Sequence, residues 1–239
     1  METAVKVITT QGLVLAFLPA FVVFGIMFRW AAGTKTAIYA TLRMLIQLML
    51  IGYVLVYIFT ADQPGIIAGV LVIMLLAASW IAIRPLQHKQ PRVYLDALAA
   101  ISVSGLLTLG LVSQFVISVE PWFSPRYVVP LAGMIFAGAM NTVSLAAERL
   151  QAEIERETSF SEARRIAFQA SLIPVINSLF AVGLVALPGM MTGQILSGVS
   201  PMVAAKYQIV VMAMLFGVSG ISSAIYLELQ HRNSSRASA

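Results

Sequence analysis

Apolar stretches of about the length an α-helix needs to cross a bilayer, roughly 20 residues, recur along almost the whole chain and alternate with short polar connections. Seven of them lie near residues 9–28, 37–59, 65–83, 93–118, 127–147, 169–187 and 207–228. The connections carry residues that stop helices. Asp62-Gln63-Pro64-Gly65 and Glu120-Pro121-Trp122 read as tight turns, and Arg84-Pro85 and Gln90-Pro91 punctuate the third connection. The pattern predicts an all-α, polytopic membrane helix bundle of about seven spans. Residues 1–230 form one transmembrane domain with a charged hairpin at 148–168, and 231–239 read as a polar, disordered tail. Lys6 flanks the first run only weakly and no small-x-small site follows before Arg29, so the run is read as a retained helix, not a signal peptide.

Composition agrees with lipid as the solvent: 59% of the 239 residues are hydrophobic and 10% are charged, against about 25% charged in an ordinary soluble domain. The basic residues sort by alternate connections. Arg29, Lys35, Arg84, Lys89, Arg92, Arg149, Arg156, Arg164, Arg165, Arg232 and Arg236 fall on one side, and Lys6, Arg126 and Lys206 on the other. Cytoplasmic loops retain their Lys and Arg during insertion, so the asymmetry places the N-terminus outside and the C-terminus inside. Orientation therefore accounts for the net charge of +5, and no basic patch points to nucleic acid. The absence of cysteine excludes disulfides, thiolate metal sites and cysteine nucleophiles. A six-span reading requires one run to be re-entrant. The segment 188–206 is more apolar than an aqueous loop, and part of it is read as dipping into the bilayer.

One sizeable charged feature remains on the inner side. Residues 148–165 hold five Glu and four Arg, predicting an extension of the fifth helix, a turn, and a new helix. Glu153 can reach Arg156 along the exposed face. Ser159-Phe160-Ser161-Glu162 fits a capping box, in which Ser159 accepts the N–H of Glu162 and Glu162 returns to Ser159. Phe160 then sits near the tip of a two-helix projection among Arg156, Arg164 and Arg165, as suits docking into a partner's groove. A hairpin merely solvated by its charges is the alternative.

Polar residues inside spans are costly and mark bundle interiors or pathways. Tyr39, Arg43 and Gln47 recur every four residues and form one stripe on a helix face. Arg43 either snorkels to the inner surface or pairs with Asp96, which lies at similar depth. Asn141, Thr142, Asn177, Ser178, Ser219, Ser222 and Ser223 are expected to hydrogen-bond between helices, while Gly65, Gly69, Gly133, Ala137, Gly138, Gly217 and Gly220 permit close approach. Pro19, Pro130 and Pro174 are expected to bend their helices.

The chemistry of an enzyme is missing: there is no H-E-x-x-H, no G-x-S-x-G and no carboxylate pair within the spans, and His88 and His231 lie at helix ends. Gly33-Thr34-Lys35-Thr36 lacks the earlier glycine and preceding strand of a P-loop, so any ATP site belongs to another chain.

Four segments carry a resemblance. They are Gln47 with Ile51-Gly52-Tyr53-Val54-Leu55; Pro130-Leu131-Ala132-Gly133-Met134; Gly138-Ala139-Met140-Asn141; and Leu187-Pro188-Gly189-Met190-Met191-Thr192-Gly193-Gln194-Ile195-Leu196-Ser197-Gly198. The last continues into Pro201 and Lys206-Tyr207-Gln208-Ile209-Val210-Val211-Met212. Over residues 40–228 the chain resembles the FetB-type permease family of ABC transporters, whose plant relatives are linked to aluminium tolerance. The resemblance implies a bacterial inner-membrane iron exporter of two permease copies and two copies of a separate ATPase, which carries the ATP and Mg; no cofactor is expected on this chain. It also implies that a cytoplasmic helix, expected here between Arg156 and Arg165 and including Phe160, Glu162 and Arg164, seats in the ATPase.

The chain departs from the family at Thr158-Ser159-Phe160-Ser161, where many relatives carry a Gly-Ala-Thr-Pro-like stretch. It departs again at Asn177, where some are acidic. Candidate pathway residues are Gln47, Asn141, Asn177, Met190, Met191, Thr192 and Gln194. Their thioethers suit softer ions than iron(II), and a Pro-Gly turn with Met packing explains the same segment. Metal ligands are therefore unassigned. Another metal ion or a metal complex as the exported cargo, a permease for a small organic or amphipathic substrate, and an ATPase-independent transporter or channel stay open beside iron.

Overall fold

The computed structural model describes residues 8–59, 63–86 and 90–237, with side chains as far as Asn233. Lys6, Asp62, His88 and Lys89 lie outside the described residues. The chain divides into two compact units, residues 1–60 and 61–239.

The first unit holds α1 (Thr10–Ala16), α2 (Leu18–Arg29) and α3 (Thr34–Phe59). Thr9 caps α1 by accepting the N–H of Gly12 at 3.2 Å. Pro19 stands in the first turn of α2, where a missing N–H costs no hydrogen bond, so it marks a break between α1 and α2 and not the mid-helix bend expected of it. Ala31 at φ 53° and Gly33 at φ 72° turn the chain into α3. Tyr39 and Gln47 are exposed on α3, with Arg43 half-buried between them.

The second unit contains α4 (Pro64–Ala82), α5 (Pro91–Gly110) with a π-helical turn at Leu111–Val116, α6 (Pro125–Glu155), α7 (Phe160–Ala181), α8 (Gly189–Leu196) and α9 (Pro201–Ala237). Four of these helices begin on proline, whose fixed φ suits the first turn. The long helix α6 is the centre of the unit and packs against α4, α5, α7 and α9. Its interior face, including Leu131, Ala132, Ile135, Phe136, Ala139 and Val143, is buried. Two close approaches set this packing. A Cβ on Gly105 of α5 would lie 2.8 Å from the Phe136 ring, and one on Gly138 of α6 would lie 3.1 Å from Leu215 of α9. Gly65, Gly69, Gly217 and Gly220, expected to serve the same purpose, have no such neighbour within 4 Å.

Among the described residues, six helical stretches are long and apolar enough to cross a membrane: 10–29, 34–59, 64–82, 91–116, 125–155 and 201–233. The run at 169–187 falls on α7, which ends at Ala181. Its first residues belong to the charged hairpin, so α7 alone lacks the apolar length of a span. Helix α6 has 31 residues and α9 has 37, about 46 and 55 Å at ~1.5 Å per residue, against about 30 Å of hydrocarbon. Both must project beyond a bilayer. Helix α9 starts at Pro201, ahead of the apolar run at 207, and residues 231–237, read from sequence as a tail, continue it.

Several hydroxyls expected to bridge helices bond to their own backbones instead. Thr142 donates to the Gly138 carbonyl at 2.9 Å, Ser178 to Pro174 at 2.9 Å, Ser222 to Ser219 at 3.2 Å and Ser223 to Ser219 at 3.0 Å. In lipid this satisfies the hydroxyl without a partner helix.

Candidate functional site

Two features of the second unit stand out, and α6, α7 and α9 build both. The first is a cavity of about 550 Å³ bounded by these helices and the start of α8. Asn141 comes from α6, Ser178 from α7, Met190 from α8, and Gln208, Met212 and Ser219 from α9. Gln208 is 5% exposed. Its Oε1 is buried without a hydrogen-bond partner, an arrangement native structures seldom leave without a use. Met190 and Met134 also line a second cavity, of about 480 Å³, which reaches Gln194. The Oε1 of Gln194 is likewise buried and unpartnered. Gln208 and Met212 are shared with a third cavity, of about 400 Å³, that includes Met191.

The second feature is the charged projection. Glu153, near the end of α6, is 5% exposed. It is held by Arg149 at 2.6 Å, Arg156 at 3.3 Å and the Thr158 hydroxyl at 3.3 Å. Glu157 takes φ 60° in the turn that follows. Ser159 is the N-cap residue of α7, yet the expected capping box does not form: its side chain caps no backbone N–H and lies 3.4 Å from the Ser161 hydroxyl. The Glu162 carboxylate turns forward to Arg165, at 2.6 and 3.0 Å. This fork-to-carboxylate geometry outcompetes the return bond to Ser159, and holds Glu162 below the usual carboxylate pKa while raising that of Arg165.

The projection has three helices, not two. Arg164 of α7 meets Glu228 of α9 at 3.0 Å. The Phe160 ring stacks on His231 at 4.8 Å between centroids, so Phe160 is packed against α9 and is not a bare tip. A groove lined by Ser161, Arg164, Arg165, Phe168, Leu227 and Glu228 runs between α7 and α9. Asp96 at the start of α5 accepts hydrogen bonds from Gln230 at 2.8 Å and Asn233 at 2.7 Å, tying α5 to α9 as well.

A family model described as "Uncharacterised protein family (UPF0014)" matches residues 10–234. The chain belongs to UPF0014. It is 32% identical to the probable iron export permease protein FetB of Escherichia coli, over 94% of this chain and 92% of that protein. It is 34% identical to the UPF0014 membrane protein slr1647 of Synechocystis, over 81% of this chain and 77% of that one. It is 33% identical to the protein ALUMINUM SENSITIVE 3 of Arabidopsis thaliana, over 78% and 72%. No solved structure matches the chain. Its long apolar helices and its membrane-protein relatives make this UPF0014 protein a multi-pass membrane protein.

The sequence-predicted pathway residues divide within this UPF0014 fold. Asn141 and Met190 border the main cavity, Met191 and Gln194 its neighbours. Asn177 is exposed, and Thr192 bonds back to the Pro188 carbonyl at 3.2 Å. Gln47 and Arg43 belong to the first unit. Sequence reasoning took Ser219 as a contact between helices and Gln208, Met134 and Met212 only as part of the resemblance, and placed none of the four among the pathway candidates. Gln208 had a signal, since it is a glutamine within the last apolar helix, but only the fold shows its amide oxygen buried beside a cavity. Among the described residues, no group of three or more His, Cys, Asp or Glu side chains is placed to hold a metal ion.

Proposed function

We propose that this chain is the membrane permease half of an ATP-driven exporter, moving iron or an iron complex outward. It works as two copies with two copies of a separate ATPase, with the N-terminus outside and the charged projection in the cytoplasm of a bacterium. The likeness to a probable iron export permease over nearly the full length of both chains carries the reading. The fold supports it mechanically. Helices α6, α7 and α9 each run unbroken in chain from the cavity to the projection: Asn141 to Glu153, Ser178 to Arg164, Ser219 to Glu228. Displacement of the projection by a docked partner would thus be delivered to the cavity wall, as rigid helices transmit motion between two packed states. A permease for a small organic solute is the second reading, favoured by a cavity without charged lining among the described residues.

The test is transport in vesicles containing the permease and its ATPase. Iron efflux that requires ATP and both proteins is the expected result; efflux by the permease alone would reject the exporter assignment in favour of a secondary transporter or channel.

A further inference from the structure

Several of the polar atoms around the main cavity are acceptors with no proton left to give. Thr142, Ser171 and Ser178 each spend their single proton on a backbone carbonyl of their own helix, at 2.9, 2.8 and 2.9 Å. What they turn toward the cavity is acceptor lone pairs. The Oε1 of Gln208 is a further acceptor, buried and lacking a donor. No described residue lining the cavity is charged, and most of the remaining wall is aliphatic or thioether, including Met190 and Met212.

Each part of that description excludes a class of ligand. A bare divalent cation would shed water and find no carboxylate, imidazole or thiolate in return, which is prohibitive in a low-dielectric site. An anion would meet no cation, and only the amide N–H groups of Asn141 and Gln208 and the Ser219 hydroxyl as donors. A ligand with apolar faces and outward N–H or O–H groups satisfies the orphan amide and the apolar wall together. The volume of about 550 Å³ is that of a site for a small organic molecule, well beyond a single ion.

We propose that the α6–α9 cavity is a ligand site anchored by Gln208, which takes a low-charge molecule with hydrogen-bond donors on an organic shell. A neutral metal chelate and a metal-free organic molecule share this chemistry. This deepens the permease reading and rests on it: the cargo is a complexed ion or a metal-free organic molecule, and not a free ion.

The purified chain in lipid nanodiscs, without any ATPase, is dialysed to equilibrium against three probes. These are tris(acetohydroxamato)iron(III), which is neutral and carries outward N–H groups; acetohydroxamic acid alone; and iron(II) kept anaerobic. Retention of the chelate above empty nanodiscs, with iron(II) not retained, is expected. Retention of acetohydroxamic acid as firm as that of the chelate would assign the site to the organic shell itself, and much weaker retention to the complex. Gln208→Met, close in volume but without the amide, should weaken chelate binding about tenfold, and Gln208→Glu should gain iron(II) binding.

A second measurement covers the case in which the Gln208 variants do not fold. Met212→Cys places a single thiol in this cysteine-free chain at the cavity wall. The chelate should protect it from N-ethylmaleimide, and iron(II) should not. Wild-type binding of iron(II) equal to that of the chelate, chelate binding unchanged in Gln208→Met, or no retention of either organic probe would overturn the assignment. None of these outcomes bears on ATP-driven efflux, so the ligand proposal and the permease reading fail separately.

Discussion

Glu153 shows how one side chain shapes the projection. Its carboxylate is buried at the end of α6 and satisfied by Arg149, Arg156 and Thr158. Removing it strands Arg149, whose Nε is already buried and unpaired. Glu153→Ala should therefore destabilise the protein by about 2–3 kcal/mol, at or below the lower bound for a fully buried pair because both arginines are partly exposed. Thermal unfolding in detergent measures this, and Glu153→Gln should lose less. A steric counterpart sits at Gly105, where any side chain meets the Phe136 ring at 2.8 Å. Gly105→Ala should cost about 1–3 kcal/mol by overpacking, with Phe136→Leu in the same chain restoring most of the loss. The charge run at 148–165 was visible in the sequence. That Glu153 alone among its glutamates turns inward was not, because linear spacing gives a residue's neighbours along a helix but not which face meets another helix.

At the scale of elements, the informative contact is between α7 and α9. Arg164 and Glu228 lie 64 residues apart in sequence yet 3.0 Å apart in space. Both are near half exposure, so the bridge contributes only about 0.5 kcal/mol to stability. Its expected importance is in keeping two long helices in register under load. Arg164→Ala should leave the melting temperature nearly unchanged while lowering the coupling between ATP hydrolysis and efflux several-fold, with Glu228→Ala giving the same phenotype. An equal loss of stability and transport would assign the pair a purely structural role. The capping box at Ser159 was a correct signal for where α7 begins and a wrong one for how it is capped. Glu162 had a stronger partner in Arg165, one turn on, and the fork of a guanidinium outbids a backbone N–H exposed to water.

On the scale of the whole molecule, the cavity, the short helix α8 and the projection all belong to the second unit, joined by helices that outrun a bilayer. Met190 and Gln194 of α8 face two adjoining cavities, which makes α8 part of their common wall. Single cysteines placed along residues 188–198 should thus react with a polar thiol reagent added from outside in the orientation proposed above. The site at 190, on the wall of the main cavity, should be shielded when the chelate is bound. Uniform inertness of the series would remove α8 from the pathway.

The amino-acid sequence by itself determined the solvent, the helical class, the place of the charged hairpin and the family signature around Pro188 and Tyr207. These follow from run length, charge spacing and local residue order, all of which are one-dimensional. Only the tertiary structure decided that Phe160 lies on His231, that α9 makes the projection three-helical, that Thr142, Ser178, Ser222 and Ser223 bond their own backbones, and that the amide oxygen of Gln208 stands without a donor beside a neutral cavity. A helix fixes the angle between its own side chains, but its rotation about its axis against its neighbours is set by packing. Packing chooses which of its polar atoms are shut away from partners.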